Sequence, residues 1–174
     1  MKIAILSDSH RDVDSTKKAL DILVADGAEF IIHAGDIVSR ENLELLKNST
    51  LRYIAVYGNN DRALLEYQNE YNLVVEPYYF ILAGLKFKLM HLPFYMNSDV
   101  DVVIYGHTHI GDVRIENSTL YLNSGEICAR ERPFSTAMML YITDDEFVVT
   151  QYERAIEQNE FKKSVSKFKR DFNE

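Results

Sequence analysis

Residues 102–109 read VVIYGHTH: an apolar run, a glycine, then His107 and His109 with one threonine between them. A short continuous run of Val, Ile and Tyr predicts a buried strand. Imidazole is polar and titrates near neutral pH, so two of them at the mouth of such a strand need hydrogen-bond partners or a metal ion. Alternation along an extended segment aims both rings the same way.

Four other apolar runs end alike. AILSDSH (residues 4–10) ends in Asp8 and His10, and FIIHAGD (30–36) in Asp36. YIAVYGNND (53–61) ends in Asn59, Asn60 and Asp61, and LKFKLMH (85–91) in His91. The carboxyl ends of strands in open α/β sheets line the crevice where ligands bind, so these residues can converge on one place. Gly35, Gly58 and Gly106 precede the polar residues, where a chain turns sharply and approaches something closely. Singly, each group has a plain structural reading: an Asp that caps the following helix, an Asn-Asn-Asp turn, a hydrogen-bonded core histidine. His33, in mid-strand, is read that last way. Jointly, with four of the chain's five histidines in the set, they predict a metal centre.

The 174 residues fit one domain, spanning 1–174 and large enough to bury a core without disulfides. With 47% apolar and 26% charged residues the composition is that of an ordinary globular protein. One cysteine, Cys128, suits a reducing compartment. The run Ile3–Leu6 is too short for a signal-peptide core, and no run reaches the roughly 18 apolar residues of a membrane span. The expectation is a cytoplasmic protein with no membrane partner. A formal charge of −8 repels polyanions at long range, which argues against nucleic acid but not against a small phosphorylated substrate held by metal ions.

Strands at Lys2–Leu6, Phe30–Ala34 and Leu51–Tyr57 alternate with helices at about Val13–Asp26, Glu41–Lys47 and Ala63–Tyr71. Later runs pair as hairpins around Ala83-Gly84, Asn117–Thr119 and Thr143–Glu146. The pattern predicts two packed mixed sheets with helices outside. Phe161, Val165, Phe168 and Phe172 recur at helical spacing, with acids leading and bases closing the segment. An amphipathic helix over about 153–172 is therefore expected, docked on its own domain or serving a homodimer.

The order D-x-H, G-D, G-N-x-D, H and G-H-x-H resembles the calcineurin-like metallophosphoesterases, and the short chain with G-N-N-D resembles their small archaeal and bacterial phosphodiesterase branch. The match runs from Ser7 to about Ile127. It implies a four-layer αββα sandwich with a dinuclear metal site that hydrolyses a small phosphate ester through a hydroxide bridging the metals. Carried over by position, Asp8, His10, Asp36 and His109 hold the first metal; Asp36, Asn59, His91 and His107 hold the second. Oxygen and imidazole donors suit Mn, taken first, or Ni, Co, Fe or Zn. Asp61 is a candidate for orienting a ligand histidine through its free ring nitrogen, or for capping the helix ahead of Ala63.

The chain departs from the pattern in places. Asn60 stands where many relatives have a histidine that protonates the leaving group, and an amide is no general acid at neutral pH. Leu92-Pro93 replaces the usual glycine after His91, and the His91 to His107 segment lacks a helix that relatives often carry. Asn123-Ser124-Gly125-Glu126 stands where small relatives read N-P-G-S and is assigned no catalytic role; Cys128 is read as packing. Arg11, Arg40 and Arg62 are the candidate phosphate contacts. The alternative function is a catalytically silent interaction scaffold of the same fold, from which retention of all seven ligand types distinguishes an enzyme.

Overall fold

The computed structural model describes residues 1–170. The chain opens with β1 (Lys2–Leu6), α1 (Val13–Ala25), β2 (Phe30–His33), α2 (Arg40–Asn48) and β3 (Arg52–Val56). A short 3-10 helix (Arg62–Tyr67) stands in place of the expected helix after β3, and β4 (Leu73–Val74) follows. Then come β5 (Tyr78–Leu82), β6 (Leu85–Leu89), β7 (Val102–Ile104), β8 (Gly111–Glu116), β9 (Thr119–Ser124), β10 (Phe134–Ile142), β11 (Glu146–Ala155) and β12 (Lys162–Lys169).

Both sheets are mixed. One has the order β12-β11-β10-β1-β2-β3-β4, with β1 to β4 parallel and β10 to β12 antiparallel. The other runs β5-β6-β7-β9-β8, with its three central strands parallel. Period-two alternation decides what each strand buries. Ile3 and Ile5 of β1 meet Val102 and Ile104 of β7 in the core between the sheets. Ala4 and Leu6 point the other way, into a second core under Leu20, Leu23, Leu43 and Leu46 of the two helices. Both helices start on side-chain caps: Asp12 accepts from the Ser15 N–H at 2.9 Å, and Ser39 from that of Asn42 at 3.3 Å. No helix among the described residues is long and apolar enough to cross a membrane.

The C-terminal helix expected over 153–172 is not formed. Residues 146–155 and 162–169 are strands β11 and β12, paired antiparallel from Glu146↔Lys169 to Glu153↔Lys162. Phe172 lies outside the described residues. The helical stripe fails because its members part company: Phe161 packs on the helix side, Phe168 on the inter-sheet core, and Val165 faces solvent. Backbone pairing with β11 outweighs the spacing signal, and the lysines of β12 suit an exposed edge. The basis for a dimerisation helix goes with it. Arg154, 1% exposed, anchors this corner by donating to Ser15 Oγ (2.9 Å) and to the Gln158 carbonyl (2.8 Å).

The outer layer over the second sheet is not helical. Met96 and Val100 of the segment after His91 cover Met90, Val103, Tyr105 and Tyr121. Lys88, fully buried, holds that segment by donating to the Tyr95 carbonyl (3.1 Å), the Asn97 carbonyl (3.1 Å), Asn97 Oδ1 (2.6 Å) and Asp99. A buried ammonium persists only with such partners. Lys88→Met should therefore free residues 92–101 while the sheets stay folded. Faster amide exchange confined to that segment is the expected result; unchanged exchange would show that Lys88 does not hold it.

Candidate metal centre

The site forms where five strands end. β1 delivers Asp8 and His10, β2 delivers Asp36, β3 delivers Asn59, β6 delivers His91 and β7 delivers His107 and His109. Asp8, His10, Asp36, His107 and His109 all have left-handed backbone, with φ between 47° and 68°. Asp and His tolerate that region better than most residues, and strained backbone of this kind gathers at functional sites. Close approach is enforced by the neighbouring glycines. A Cβ on Gly58 would lie 2.2 Å from both the amide nitrogen and Oδ1 of Asp36, and one on Gly106 would lie 2.1 Å from Ser7 Oγ.

Asp36 is the centre of the arrangement, 2% exposed. Its Oδ2 lies 3.8 Å from His10 Nε2 and its Oδ1 3.5 Å from His91 Nε2, so its two oxygens face two different histidines. Asn59 Oδ1 stands 2.9 Å from His91 Nε2 and 3.1 Å from His107 Nδ1. On the other side, His109 Nε2 is 3.3 Å from Asp8 Oδ1. The remaining oxygen of Asp8 accepts from Ser7 Oγ (2.6 Å) and from the His107 N–H (3.0 Å). Ligand atoms of Asp8, Asp36 and His91 lie within 4.8 Å of one another, as do those of His10, His109 and Cys128.

Two buried atoms at the centre, Asp8 Oδ1 and His10 Nε2, have no hydrogen-bond partner. Buried polar atoms are normally satisfied, and an orphaned carboxylate oxygen beside an orphaned imidazole nitrogen is what a cation site leaves when considered without its ion. Oxygen and imidazole donors with open lone pairs fit a divalent metal. The electrostatics agree. Burial alone would push the Asp36 carboxyl up, but hydrogen bonding from His91 and from the Asn60 backbone and side chain outweighs it and holds the group well below the usual carboxylate range. The carboxylates on either side of it, Asp8 first and then Glu126, lift His109 to about 9 against its burial. A proton on His109 thus holds the place of cationic charge, and a bound metal would displace it.

The other predicted residues divide. Asp61 contacts no histidine and makes no side-chain cap; its carboxylate accepts the Val38 and Gly58 N–H groups, each at 2.7 Å, and joins the loop after β2 to the loop after β3. Asn60 is committed to Asp36, through its backbone N–H (2.9 Å) and its side-chain amide (2.6 Å). Arg40 donates to Tyr71 Oη and to Glu70 at 3.1 Å and lies over the Tyr67 ring, away from the centre. Arg11 and Arg62 are exposed. His33 is fully buried, 3.0 Å from Ser9 Oγ, and burial pushes it down to about 4, in line with a core histidine.

Reading the sequence missed Glu126, which is 1% exposed and 2.8 Å from His109 Nδ1. The signal was available: β9 is a sixth apolar strand followed by a glycine and an acid. Glu76 was missed too; its carboxylate accepts the His91 and Leu92 N–H groups at 2.5 and 2.8 Å. Cys128 donates to Glu126 at 3.4 Å, and burial, reinforced by that carboxylate, pushes its thiol up to about 12.

The model of the calcineurin-like phosphoesterase superfamily domain matches residues 1–145. The chain belongs to the calcineurin-like phosphoesterase superfamily. This superfamily member is 35% identical over 141 residues to phosphodiesterase MJ0936 of Methanocaldococcus jannaschii, covering 74% of this chain and 85% of that protein. A solved archaeal phosphodiesterase is 29% identical with a TM-score of 0.73, covering 95% of this chain and 100% of the other. Vps29 from Entamoeba histolytica has a TM-score of 0.75 at 20% identity over 97% of this chain and 99% of its own, a likeness of fold alone.

Gly58→Ala tests how tightly the centre is built. Forcing a methyl against the backbone and carboxylate of Asp36 should cost about 1–3 kcal/mol in denaturant unfolding and reduce metal uptake. A variant as stable and as competent in uptake as the parent would mean that the loop has slack.

Proposed function

We propose that this superfamily member is a metal-dependent phosphodiesterase that hydrolyses a small phosphate ester at a centre of two divalent cations. Asp8, His10, Asp36 and His109 would hold one cation, and Asp36, Asn59, His91 and His107 the other. The observation that carries this reading is Asp36, whose two carboxylate oxygens face different histidines, His10 at 3.8 Å and His91 at 3.5 Å. The relation to phosphodiesterase MJ0936 supports the reaction class. Oxygen and imidazole donors make Mn the first metal to test, with Ni, Co, Fe and Zn as alternatives. Divalent cations supply a lowered pKa for water and neutralise charge developing on the phosphoryl oxygens.

The protein's own groups arrange the rest. Asp36 is fixed by Asn60, which donates to both of its oxygens, and Asp8 by Ser7 and the His107 N–H, which donate to the oxygen turned away from His109. Asn59 places one amide oxygen between His91 and His107. A cleft of about 650 Å³ opens beside His109 between the edges of the two sheets, bordered by Ile110, Arg132, Phe134, Gln151 and Lys162, with room for an ester arm. Arg132 also borders a second cavity together with His107, and its guanidinium makes no ion pair with an acid among the described residues, so it can meet a phosphate oxygen. Asn60, occupied by Asp36 and unable to act as a general acid, leaves protonation of the leaving group to water. Esters with leaving groups that need little protonation, aryl or cyclic, are therefore favoured.

A silent scaffold is the weaker reading, because all seven ligand-type side chains are retained at the ends of five strands, which supports an enzyme. In a Mn-supplemented assay on bis-p-nitrophenyl phosphate, Asn59→Ala and His107→Ala should each lower kcat/KM by roughly 10²–10³-fold with the fold intact, and a chelator should abolish turnover. Hydrolysis that survives both substitutions and chelation would remove the assignment. Diesters of poor alkyl leaving groups should be turned over far more slowly than aryl diesters; equal rates would point to an acid that the site has not revealed.

A further inference from the structure

Glu126 is a buried carboxylate with an unusually complete set of partners. Its oxygens accept the backbone N–H groups of Arg130 (2.9 Å), Glu131 (2.9 and 3.1 Å) and Arg132 (2.7 Å), besides the Cys128 thiol and the His109 ring. Its position comes from the turn after β9. Asn123 Oδ1 accepts the Gly125 N–H at 2.9 Å, while the Asn123 amide donates to the Gly106 carbonyl and to Thr108 Oγ1, each at 3.0 Å. The end of β9 is thereby sewn to the G-H-T-H loop, and Glu126 falls directly behind His109.

An ionised carboxylate is an acceptor only, so the nitrogen of His109 that faces it must carry the hydrogen. That nitrogen is Nδ1, at 2.8 Å, and Nε2, 3.3 Å from Asp8 Oδ1, is the one turned toward the centre, where a cation would take the place of its proton. A histidine that ligates a metal through one nitrogen usually gives its other N–H to a carboxylate or carbonyl, which fixes the tautomer and the ring and strengthens the ligand. The same carboxylate gathers three consecutive N–H groups of residues 130–132, so it also fixes the loop that carries Arg132 to the rim of the two cavities.

Resting on the proposed function, we propose that Glu126 is a positioning residue that holds His109 as a one-sided ligand for the first cation and ties that ligand to the arginine-bearing loop at the mouth of the site. Glu126 touches neither the cation nor the substrate and acts through His109 and the 130–132 backbone.

The test is calorimetric titration of the metal-free, full-length protein with Mn²⁺. The parent should take up two ions, and Glu126→Gln, which keeps the shape but places an amide against Nδ1, should weaken one binding event by about 10–100-fold while sparing the other. A merely structural role would lower thermal stability and leave the ratio of the two affinities unchanged. Two wild-type affinities in a folded Glu126→Gln would overturn the inference and spare the proposed function, whereas no Mn²⁺ uptake by the parent would overturn both. Should Glu126→Gln fail to fold, ¹⁵N spectra of the histidine rings in the Zn²⁺-loaded parent decide instead. The hydrogen of His109 is expected on Nδ1, and finding it on Nε2 would overturn the inference.

Discussion

Three carboxylates, those of Asp8, Asp36 and Glu126, are each no more than 2% exposed and converge on one cluster of histidines. Charge removed from water is costly unless it is paired and hydrogen-bonded, and that constraint shapes everything around the site. The N–H groups of His107, Asn60 and residues 130–132 are turned inward to these oxygens, glycines stand where any side chain would strike them, and five of the candidate ligand residues accept left-handed backbone. What the protein does not neutralise is left facing the centre, where the proposed cations would complete the balance.

The two-sheet sandwich is the means of bringing those charges together. Parallel strands in both sheets end on the same side, so residues far apart in sequence meet: His107 donates its N–H to Asp8 across 99 positions. The apolar alternation of β1 and β7 supplies the rigidity, because Ile3, Ile5, Val102 and Ile104 pack in the core between the sheets on the strands that lead to the candidate ligands. A site on loops alone would lack that support, and placement on strand ends gives the loops very little freedom.

The strands of the first half and the gathering of candidate ligand residues at their ends were legible, because a run of β-branched residues stopped by Gly-Asp, Gly-Asn or Gly-His carries both signals at once. Two kinds of feature were not. The tail read as a helix because Phe161, Val165 and Phe168 fit a 3.6-residue period, yet edge pairing with β11 decides its conformation, and pairing is a tertiary fact that local spacing does not contain. Asp61 read as a partner for a histidine or as a helix cap, but only the three-dimensional structure shows Val38 and Gly58 donating to it. Glu126 was hidden for a similar reason: its meaning lies in His109, seventeen residues upstream on another strand's end.

The claim on which all this depends is that Asp36 lies between two cations. Anomalous diffraction from crystals of the protein soaked in Mn²⁺ tests it most directly. Two peaks are predicted, both beside Asp36, one ringed by Asp8, His10 and His109 and the other by Asn59, His91 and His107. No peak at Asp36, or density only elsewhere on the molecule, would contradict the account.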